Sequence, residues 1–391
     1  MMWYPIEKRL KTRVLRWLAS HPLGSRRTPP GAVDPDRIGR ILIIRQHDQF
    51  GDFLLTTPAI HALRARFPAA HLTLVVRAYL YPVARNNPDA DEVLLFHESG
   101  FRWRPRDIRC FVDLMRDPVD LAVVFNTVSH SLSSDLIAWL SGAPVVMGPE
   151  TPTFDHLDHN PFYTINVPVR PEPRHQIQRN LDVVRYVGAD TDDLSYRYAM
   201  TEEERAAGRA VIDGLAGDPG KPRGPEPEGP EPAGPVVAVH FGTGDARKRY
   251  PVEQLARVCD ALAARRSVRI LVIPAPGEEA LLRALREAAS TPLHGAPPLS
   301  LREVAGVIGA ADLLVCNDTG VLHLAAAVET PTLSFHATSD PAYWKPPGRR
   351  HRAFYAASQR IEEIPPDRVY REISAMLDGS GSVETGDIIR V

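Results

Sequence analysis

Short runs of apolar residues alternate with helical spacing along most of the chain. Residues 52–67 in the first half carry apolar positions three and four apart, which predicts a helix. Further helices are predicted in the second half at 252–265, 277–289, 300–309 and 320–328. Short buried strands are predicted at 40–45, 72–76, 93–96, 121–125, 145–147, 236–240, 269–273, 313–316 and 332–335. Strands that alternate with helices are typical of parallel sheets, so we predict two α/β halves.

A proline-rich segment separates the two halves. Residues 218–235 contain seven prolines and four glycines, a composition that disfavours helix and central strand and favours an extended linker. We therefore divide the chain into an N-terminal extension (1–38), a first domain (39–217), the linker (218–235), a second domain (236–348) and a C-terminal helix with a tail (349–391). The helical pattern at 366–377 predicts a final helix, and the tail from Gly379 is expected to fray.

The composition is that of a folded, nearly neutral protein. Of 391 residues, 44% are hydrophobic and 24% charged, and 46 Lys+Arg stand against 48 Asp+Glu, for a formal charge of −2. No overall basic field attracts nucleic acid, so we expect no nucleic-acid partner. The three cysteines are widely spaced without a CxxC pair, which argues against disulfides or structural zinc and fits a reducing cytoplasm. No run of 18 apolar residues and no signal-peptide pattern occurs, so we expect neither a membrane span nor export by that route.

The N-terminal extension has a pattern of its own. Residues 3–18 place five apolar residues on one helical stripe, with lysines and arginines mostly elsewhere: Ile6, Leu10, Val14, Trp17 and Leu18. A basic amphipathic helix of this kind can lie in a membrane interface. It can equally pack on the first domain with its cations solvated, and the sequence leaves both interpretations open.

Ligands of open α/β sheets bind at the carboxyl ends of strands, which directs attention to three loops. The first loop contains Gly51, which allows a tight backbone turn, and Asp52 in the first turn of the next helix. Asp52 alone is most simply a helix-start carboxylate worth about 0.3–1 kcal/mol. Facing a cleft, it would be placed to take a proton from a bound hydroxyl. Asp48 in the same loop is most simply a turn former.

The second loop follows strand 236–240 and combines small residues with cations. Gly242, Thr243 and Gly244 permit close approach of backbone N–H groups to a ligand. The Arg-Lys-Arg triplet at 247–249 can neutralise phosphate, or it can be a solvated charge run.

The third loop precedes the helix predicted at 320–328. Asn317, Asp318 or Thr319 can cap that helix, whose N-terminal amides form an anion site. Gly320 leaves room for a phosphate. His323 is either a core histidine or a ligand contact, and its position after a phosphate-binding helix start favours the contact.

Together these loops indicate a base in the first domain and phosphate-binding elements in the second. This is the arrangement of an enzyme that moves a group from a nucleotide diphosphate donor to an acceptor. No GxxxxGK[ST] occurs, which disfavours ATP hydrolysis, and no GxGxxG follows the first strand, which disfavours a dehydrogenase.

Three short motifs follow one another along the chain. The pattern Arg-x-x-Asp-x-x-Gly-Asp-x-x-Leu-Thr-x-Pro is carried by Arg45, Asp48, Gly51, Asp52, Leu55, Thr56 and Pro58. The pattern Lys-x-aromatic-Pro is carried by Lys248, Tyr250 and Pro251. The pattern Asp-Thr-Gly-x-x-His-Leu-Ala-Ala is carried by Asp318, Thr319, Gly320, His323, Leu324, Ala325 and Ala326. In this order the motifs resemble those of glycosyltransferase family 9, the ADP-heptose:lipopolysaccharide heptosyltransferases, and the resemblance covers residues 39–348.

The resemblance implies an α/β protein of the GT-B fold, with two Rossmann-like domains whose parallel sheets face an interdomain cleft. It implies inverting, metal-independent transfer without a cofactor. By similarity to such folds, the final helix at 366–377 is expected to pack back on the first domain. The default donor is ADP-heptose, and the acceptor is a lipopolysaccharide-type glycolipid or related saccharide. We accordingly expect a cytoplasmic enzyme, with contact between residues 3–18 and the inner membrane as one hypothesis.

The resemblance also implies roles for individual residues. Asp52 resembles the general base that deprotonates the acceptor hydroxyl, and Lys248 resembles the cation on the donor phosphates. Asp48 and Gly51 are expected to contact acceptor or sugar, and no metal ligand is expected. The other expected donor-binding residues are Thr243, Gly244, Asp318, Thr319, Gly320, His323 and, at the nucleotide ribose, Glu278.

Two features depart from the family pattern. Residues 47–49 make the first loop polar and acidic where heptosyltransferases of the inner core often carry small hydroxyl residues, so the acceptor's identity stays open. The linker is also longer than expected. Two alternatives are kept: a GT-B-like nucleotide-sugar 2-epimerase, which needs no acceptor, and a non-catalytic sugar-nucleotide-binding protein.

Overall fold

The computed structural model describes residues 33–46, 49–97, 104–150, 159–216, 234–266, 268–380 and 386–391. Their contacts form two compact units. The first unit consists of the described parts of Met1–Asp48, Thr56–Pro173 and Ile177–Asp193. The second unit consists of the described parts of Gln49–Leu55, Arg174–Gln176 and Leu194–Val391. The expected extension helix at 3–18 and residues 218–233 of the expected linker lie outside the described residues.

Strands and helices are numbered along the chain. The strands are β1 (Arg40–Ile44), β2 (His71–Arg77), β3 (Glu92–Phe96), β4 (Leu121–Val124), β5 (Val145–Pro149), β6 (Ile165–Val167), β7 (Val236–His240), β8 (Arg269–Val272), β9 (His294–Gly295), β10 (Leu313–Asn317), β11 (Thr332–His336), β12 (His351–Tyr355) and β13 (Ile388–Arg390). The α-helices are α1 (Phe50–Leu54), α2 (Thr57–Arg66), α3 (Tyr81–Ala84), α4 (Pro105–Arg116), α5 (Leu132–Leu140), α6 (Gln176–Arg185), α7 (Glu202–Asp213), α8 (Val252–Arg265), α9 (Glu279–Ala288), α10 (Leu301–Gly309), α11 (Gly320–Ala327), α12 (Pro341–Trp344) and α13 (Pro366–Leu377).

The described residues of the first unit contain a six-stranded sheet in the order β3-β2-β1-β4-β5-β6. Every neighbouring pair in it is parallel. The central strands are buried along nearly their whole length, which is the reason that they appear in the sequence as continuous apolar runs. The strand order is that of a Rossmann fold.

The second unit contains, within the described residues, a seven-stranded parallel sheet in the order β13-β12-β11-β10-β7-β8-β9. Its buried core combines the inner face of α8, including Val258 and Leu262, with Val369 and Ile373 of α13. The final helix therefore packs in the second unit, and the expectation that it packs on the first domain is wrong. Apolar spacing predicts that a helix packs, but it does not identify the sheet on which it packs.

Three other expectations need correction. The helix predicted at 52–67 is two helices, α1 and α2, because Pro58 lacks an N–H and is suited to the first turn of a new helix. The tail was expected to fray, but β13 pairs with β12 in parallel. Strands β6, β9, β12 and β13 were not predicted, because each is short or interrupted by polar residues. The predicted α/β class with two parallel sheets is confirmed.

Each sheet has one place where the order of strands along the chain reverses. In the first unit β1 lies between β2 and β4, and in the second unit β7 lies between β8 and β10. Ligands of open parallel sheets bind beyond the carboxyl ends of the strands at such a point. In the second unit, the loops that follow β7 and β10 are two of the three selected from the sequence.

Candidate active site

A partly buried ion pair joins the two loops at the switch point of the second unit. Lys248 Nζ lies 2.7 Å from Asp318 Oδ2, and Ser339 Oγ donates a hydrogen bond to the same oxygen at 2.5 Å. Burial raises the pKa of Asp318, but the electrostatic interactions with His336 and Lys248 and the hydrogen bonds from Lys248 and Ser339 outweigh it and lower that pKa to about 2. Asp318 is therefore ionised at neutral pH.

The cationic triplet divides into separate roles. Lys248 enters the site, whereas Arg247 is 78% exposed and pairs with the carboxylate of Asp245 at 2.7 Å. Arg249 donates weakly to the carbonyl of Thr243 at 3.5 Å. Of the triplet, Lys248 alone forms an ion pair with the third loop among the described residues.

Asn317 holds the two loops in register. Its side-chain oxygen accepts from Tyr250 N at 2.9 Å, and its Nδ2 donates to Phe241 O at 2.7 Å. The Tyr250 ring stacks on Phe335 with centroids 4.2 Å apart. Asn317, Tyr250 and Phe335 are buried, so these bonds fix the backbone on both sides of Thr243 and Lys248.

The carboxylate of Glu278 lies against the loop that follows β7. A Cβ on Gly242 would stand 1.9 Å from Glu278 Oε1, so a side chain at this position would displace the carboxylate from its present place. Glu278 Oε2 accepts from Ala275 N at 2.8 Å. Thr243 is half-buried, and Gly244 is exposed with open space around its Cβ position.

The start of α11 carries a buried hydroxyl that forms no hydrogen bond with the described part of the chain. Thr319 is the residue before the helix, and its buried Oγ1 has no hydrogen-bond partner among the described residues. The first amides of a helix also have no partner within the helix. Gly320 is needed for packing, since its Cβ would lie 2.5 Å from Phe50 Cζ. This helix start therefore offers donors to an anion, and its glycine admits an aromatic ring.

The segment that carries Asp52 packs on this same helix. Gly51 lies inside α1 rather than before a helix, and a Cβ there would be 2.8 Å from His323 Cδ2 and 3.1 Å from Gly320 Cα. Asp52 is half-buried in the first turn of α1, and its Oδ2 accepts from Gln49 N at 3.0 Å. The sequence placed the base in the first domain, but the contacts group it with the second unit. Asp48 lies outside the described residues.

His323 is a buried member of this packing. Its Nδ1 lies 3.0 Å from the hydroxyl of Tyr196. Burial, together with the nearby His175 and His336, lowers the pKa of His323 to about 4, although Asp318 raises it. The ring is therefore neutral at pH 7 and forms the surface on which Gly51 packs.

The first unit has a polar network at its own switch point, which the sequence did not reveal. Asp135 on α5 is fully buried and lies 2.6 Å from His130 Nε2, and it accepts from the hydroxyl of Tyr163 at 2.6 Å. Gln46 follows β1, and its amide donates to Ser133 Oγ at 2.7 Å and Ser134 Oγ at 3.2 Å. Amides, hydroxyls and an imidazole thus line the carboxyl ends of β1 and β4.

Two residues beside the Lys248–Asp318 ion pair of the second unit were also not predicted from the sequence. His336 is the last residue of β11 and Ser339 follows the strand, and no motif marked them. A signal existed, because Asn317 of β10 pairs with Phe335 of β11, which brings the next residues, Asp318 and His336, to the same sheet edge. Among the described residues, no group of three or more His, Cys, Asp or Glu is placed to hold a metal, and no helix has the length and apolarity to cross a membrane.

Two Rossmann-like units in one chain define the GT-B class. Solved structures share this fold. The glycosyl transferase family 9 protein from Veillonella parvula DSM 2008 gives a TM-score of 0.71 at 18% identity, covering 88% of this chain and 98% of that chain. The structure of E. coli ADP-heptose lps heptosyltransferase II gives a TM-score of 0.67 at 19% identity, covering 87% of this chain and 99% of that chain.

The sequence places the chain more narrowly within this class. The family model for glycosyltransferase family 9 (heptosyltransferase) matches residues 118–368, which is more than half of the chain. Lipopolysaccharide heptosyltransferase 3 of Escherichia coli (strain K12) is 23% identical over 306 residues, 76% of this chain and 82% of that protein. The chain belongs to glycosyltransferase family 9, as the three motifs predicted, and it is a glycosyltransferase.

Proposed function

We propose that this enzyme transfers heptose from ADP-heptose to a lipopolysaccharide-type saccharide acceptor, with inversion and without a metal ion or other cofactor. The acceptor oxygen bonds to the anomeric carbon as Asp52 takes its proton, and the bond from that carbon to the diphosphate breaks. The observation that carries the proposal is the meeting of three elements at one helix start. The helix with Asp52, the loop with Lys248 and the residue Asp318 all adjoin the beginning of α11.

The donor's diphosphate is assigned to Lys248 and the start of α11. A leaving diphosphate needs compensating charge, which a lysine and free helix amides supply in a partly buried site. The Thr319 hydroxyl has no hydrogen-bond partner among the described residues and can donate to a phosphate oxygen. Glu278, beside Gly242, is assigned to the ribose. The name of the E. coli structure, an ADP-heptose lps heptosyltransferase, supports heptose as the donor sugar.

The acceptor is assigned to the first unit. The hydroxyls of Ser131 and Ser133, the amide of Gln46 and the imidazole of His130 lie around one sheet edge. Such groups suit the hydroxyls of a saccharide, because each can donate or accept a hydrogen bond in the required sense. The names of the relatives support a lipopolysaccharide acceptor.

The test is a transfer assay in the presence of EDTA. Purified protein receives ADP-heptose or another nucleotide sugar, with and without a Kdo–lipid A or deeper-core acceptor, and nucleoside diphosphate release is measured. We expect release that requires acceptor and survives EDTA, and NMR of the product should show the inverted anomer. Asp52→Asn should lower kcat about 10²- to 10⁴-fold. The matched control is Asp367→Asn, which alters an exposed carboxylate in the first turn of α13.

The other outcomes separate the alternatives. Release that is unaffected by Asp52→Asn would remove Asp52 as the base. Donor conversion without acceptor would indicate a 2-epimerase. Nucleotide binding without turnover of any donor would indicate a binding protein.

A glycolipid acceptor would place the enzyme at the cytoplasmic face of the inner membrane. The proposed contact is the segment at 3–18, on the strength of its basic amphipathic sequence. Deleting residues 1–20 should reduce recovery of the protein with anionic vesicles. Unchanged partitioning would contradict the contact and leave the transferase assay unaffected.

A further inference from the structure

His336 ends β11 directly beside the ion pair of the donor site. Its ring is buried, and its Nδ1 lies 4.0 Å from Asp318 Oδ1. That nitrogen is buried and has no hydrogen-bond partner among the described residues. Lys248 and Ser339 both bind the other oxygen of Asp318. One carboxylate oxygen of Asp318 is therefore paired. The other lies towards a ring nitrogen that has no hydrogen-bond partner among the described residues.

The opposite ring nitrogen is hydrogen-bonded to a serine hydroxyl. Nε2 lies 2.9 Å from Ser334 Oγ, and that hydroxyl donates to the carbonyl of Arg352 at 3.3 Å. In the arrangement in which the Ser334 hydroxyl gives its hydrogen to Arg352, it accepts from Nε2–H. In the neutral ring, Nδ1 then presents a lone pair towards the Asp318 carboxylate. A proton on Nδ1 would replace this unfavourable contact with a charge-assisted one, without disturbing the Ser334 bond.

Donor binding changes the charge balance at this point. Under the proposed function, the diphosphate approaches Lys248, which already neutralises Asp318. Two anionic groups would then share one lysine in a partly buried site, and like charges in such a site favour uptake of a proton nearby. A buried carboxylate that loses its counter-charge is strongly unfavourable.

We propose that His336 is a positioning residue that takes up a proton at Nδ1 when a nucleoside diphosphate engages Lys248, and that the resulting imidazolium holds Asp318 in place. The proton comes from solvent, and no covalent bond is made. The proposal rests on the proposed function, because it requires a diphosphate on Lys248. It makes donor binding dependent on pH through a residue that does not touch the donor.

The charges around His336 agree with uptake on binding rather than before it. Burial lowers the pKa of His336 in the free protein; Asp318 raises it, Lys248 and Lys345 lower it, and Asp340 raises it. His323 is a further neighbour, and it is neutral at pH 7 because its pKa is about 4. A bound diphosphate would offset the charge of Lys248 and so raise the pKa of His336.

Calorimetry with ADP as the probe tests the proposal. Binding is measured at one pH in buffers of different ionisation enthalpy, which yields the number of protons taken up. Wild type should take up protons when ADP binds. The variant His336→Asn, which keeps a polar nitrogen near the Nδ1 position, should lose the part of this uptake that is due to His336. The control His351→Asn removes another buried histidine of the same unit and should retain the proton uptake of wild type. At pH values between the pKa of His336 in the free protein and its pKa in the ADP complex, the affinity of wild type for ADP should fall by up to about tenfold for each unit that the pH rises. The His336→Asn variant should lack this dependence.

Nitrogen NMR of histidine-labelled wild type supplies a readout that does not depend on a variant that folds. One imidazole should change from neutral to charged when ADP is added, and its absence would overturn the proposal. Equal proton uptake in wild type and His336→Asn would assign the proton to another group and overturn it too. Failure of ADP to bind, or binding unaffected by Lys248→Gln, would contradict the proposed function as well. ADP binding that needs Lys248 but involves no His336-dependent proton would contradict this proposal alone.

Discussion

Replacing Asp318 by asparagine tests how much the buried network contributes to stability. Asparagine has the shape of a protonated aspartate but cannot carry the charge. The pKa of Asp318 is about 2 against an ordinary 3.8. Since one pKa unit corresponds to about 1.4 kcal/mol, the network favours the ionised form of Asp318 over the protonated form by roughly 2–3 kcal/mol. Asp318 is only 11% exposed, so screening by solvent removes little of this. Asp318→Asn should therefore lower the free energy of unfolding by about 2–3 kcal/mol at pH 7.

The assay is urea unfolding followed by circular dichroism across a pH series. A depressed pKa contributes fully above the ordinary value and is lost as pH falls through the folded value. The gap between wild type and variant should thus be constant from pH 7 to about 5 and close towards about 2. Asp245→Asn is the control, because its pKa is also about 2 but its ion pair with Arg247 lies at the surface, where such pairs contribute little. Equal unfolding of wild type and Asp318→Asn, or an equal loss in both variants, would refute the reasoning.

Three further predictions concern the packing around α11. Gly51→Ala should lower the free energy of unfolding by about 1–3 kcal/mol and also lower kcat, because its Cβ would meet His323 at 2.8 Å. The control is Gly214→Ala, where the space around the Cβ position is open. Equal unfolding midpoints for the two variants would contradict the prediction. Tyr196→Phe should cost about 1–3 kcal/mol by leaving the buried His323 Nδ1 without its partner, and an unchanged melting temperature would count against that bond. Stability should fall as pH is lowered from 6.5 towards about 4, because the unfolded chain protonates His323 more readily; His323→Asn should flatten this slope, and an unchanged slope would exclude the histidine as its source.

Some residues of the site can be predicted from the sequence because their roles depend on local chemistry. Asp318 and Thr319 follow a buried strand and precede a helix, and Lys248 lies in a glycine-rich loop after another strand. The structure brings these loops together, and it adds Asn317 as the residue that holds them in register. Gly320 could not be interpreted in this way, since a glycine at a helix start has the same appearance whether it admits a phosphate or the ring of Phe50.

The sequence by itself determined the α/β class, the two parallel sheets, the ends of helices such as α8 and α13, and the family. These depend on apolar periodicity and on motifs within one strand–loop–helix unit. Tertiary structure alone decided that α13 packs in the second unit, that α1 packs on α11, and that His336 lies beside Asp318. Each of these is a contact between residues far apart in the chain. It depends on strand order and register, which a local pattern does not specify.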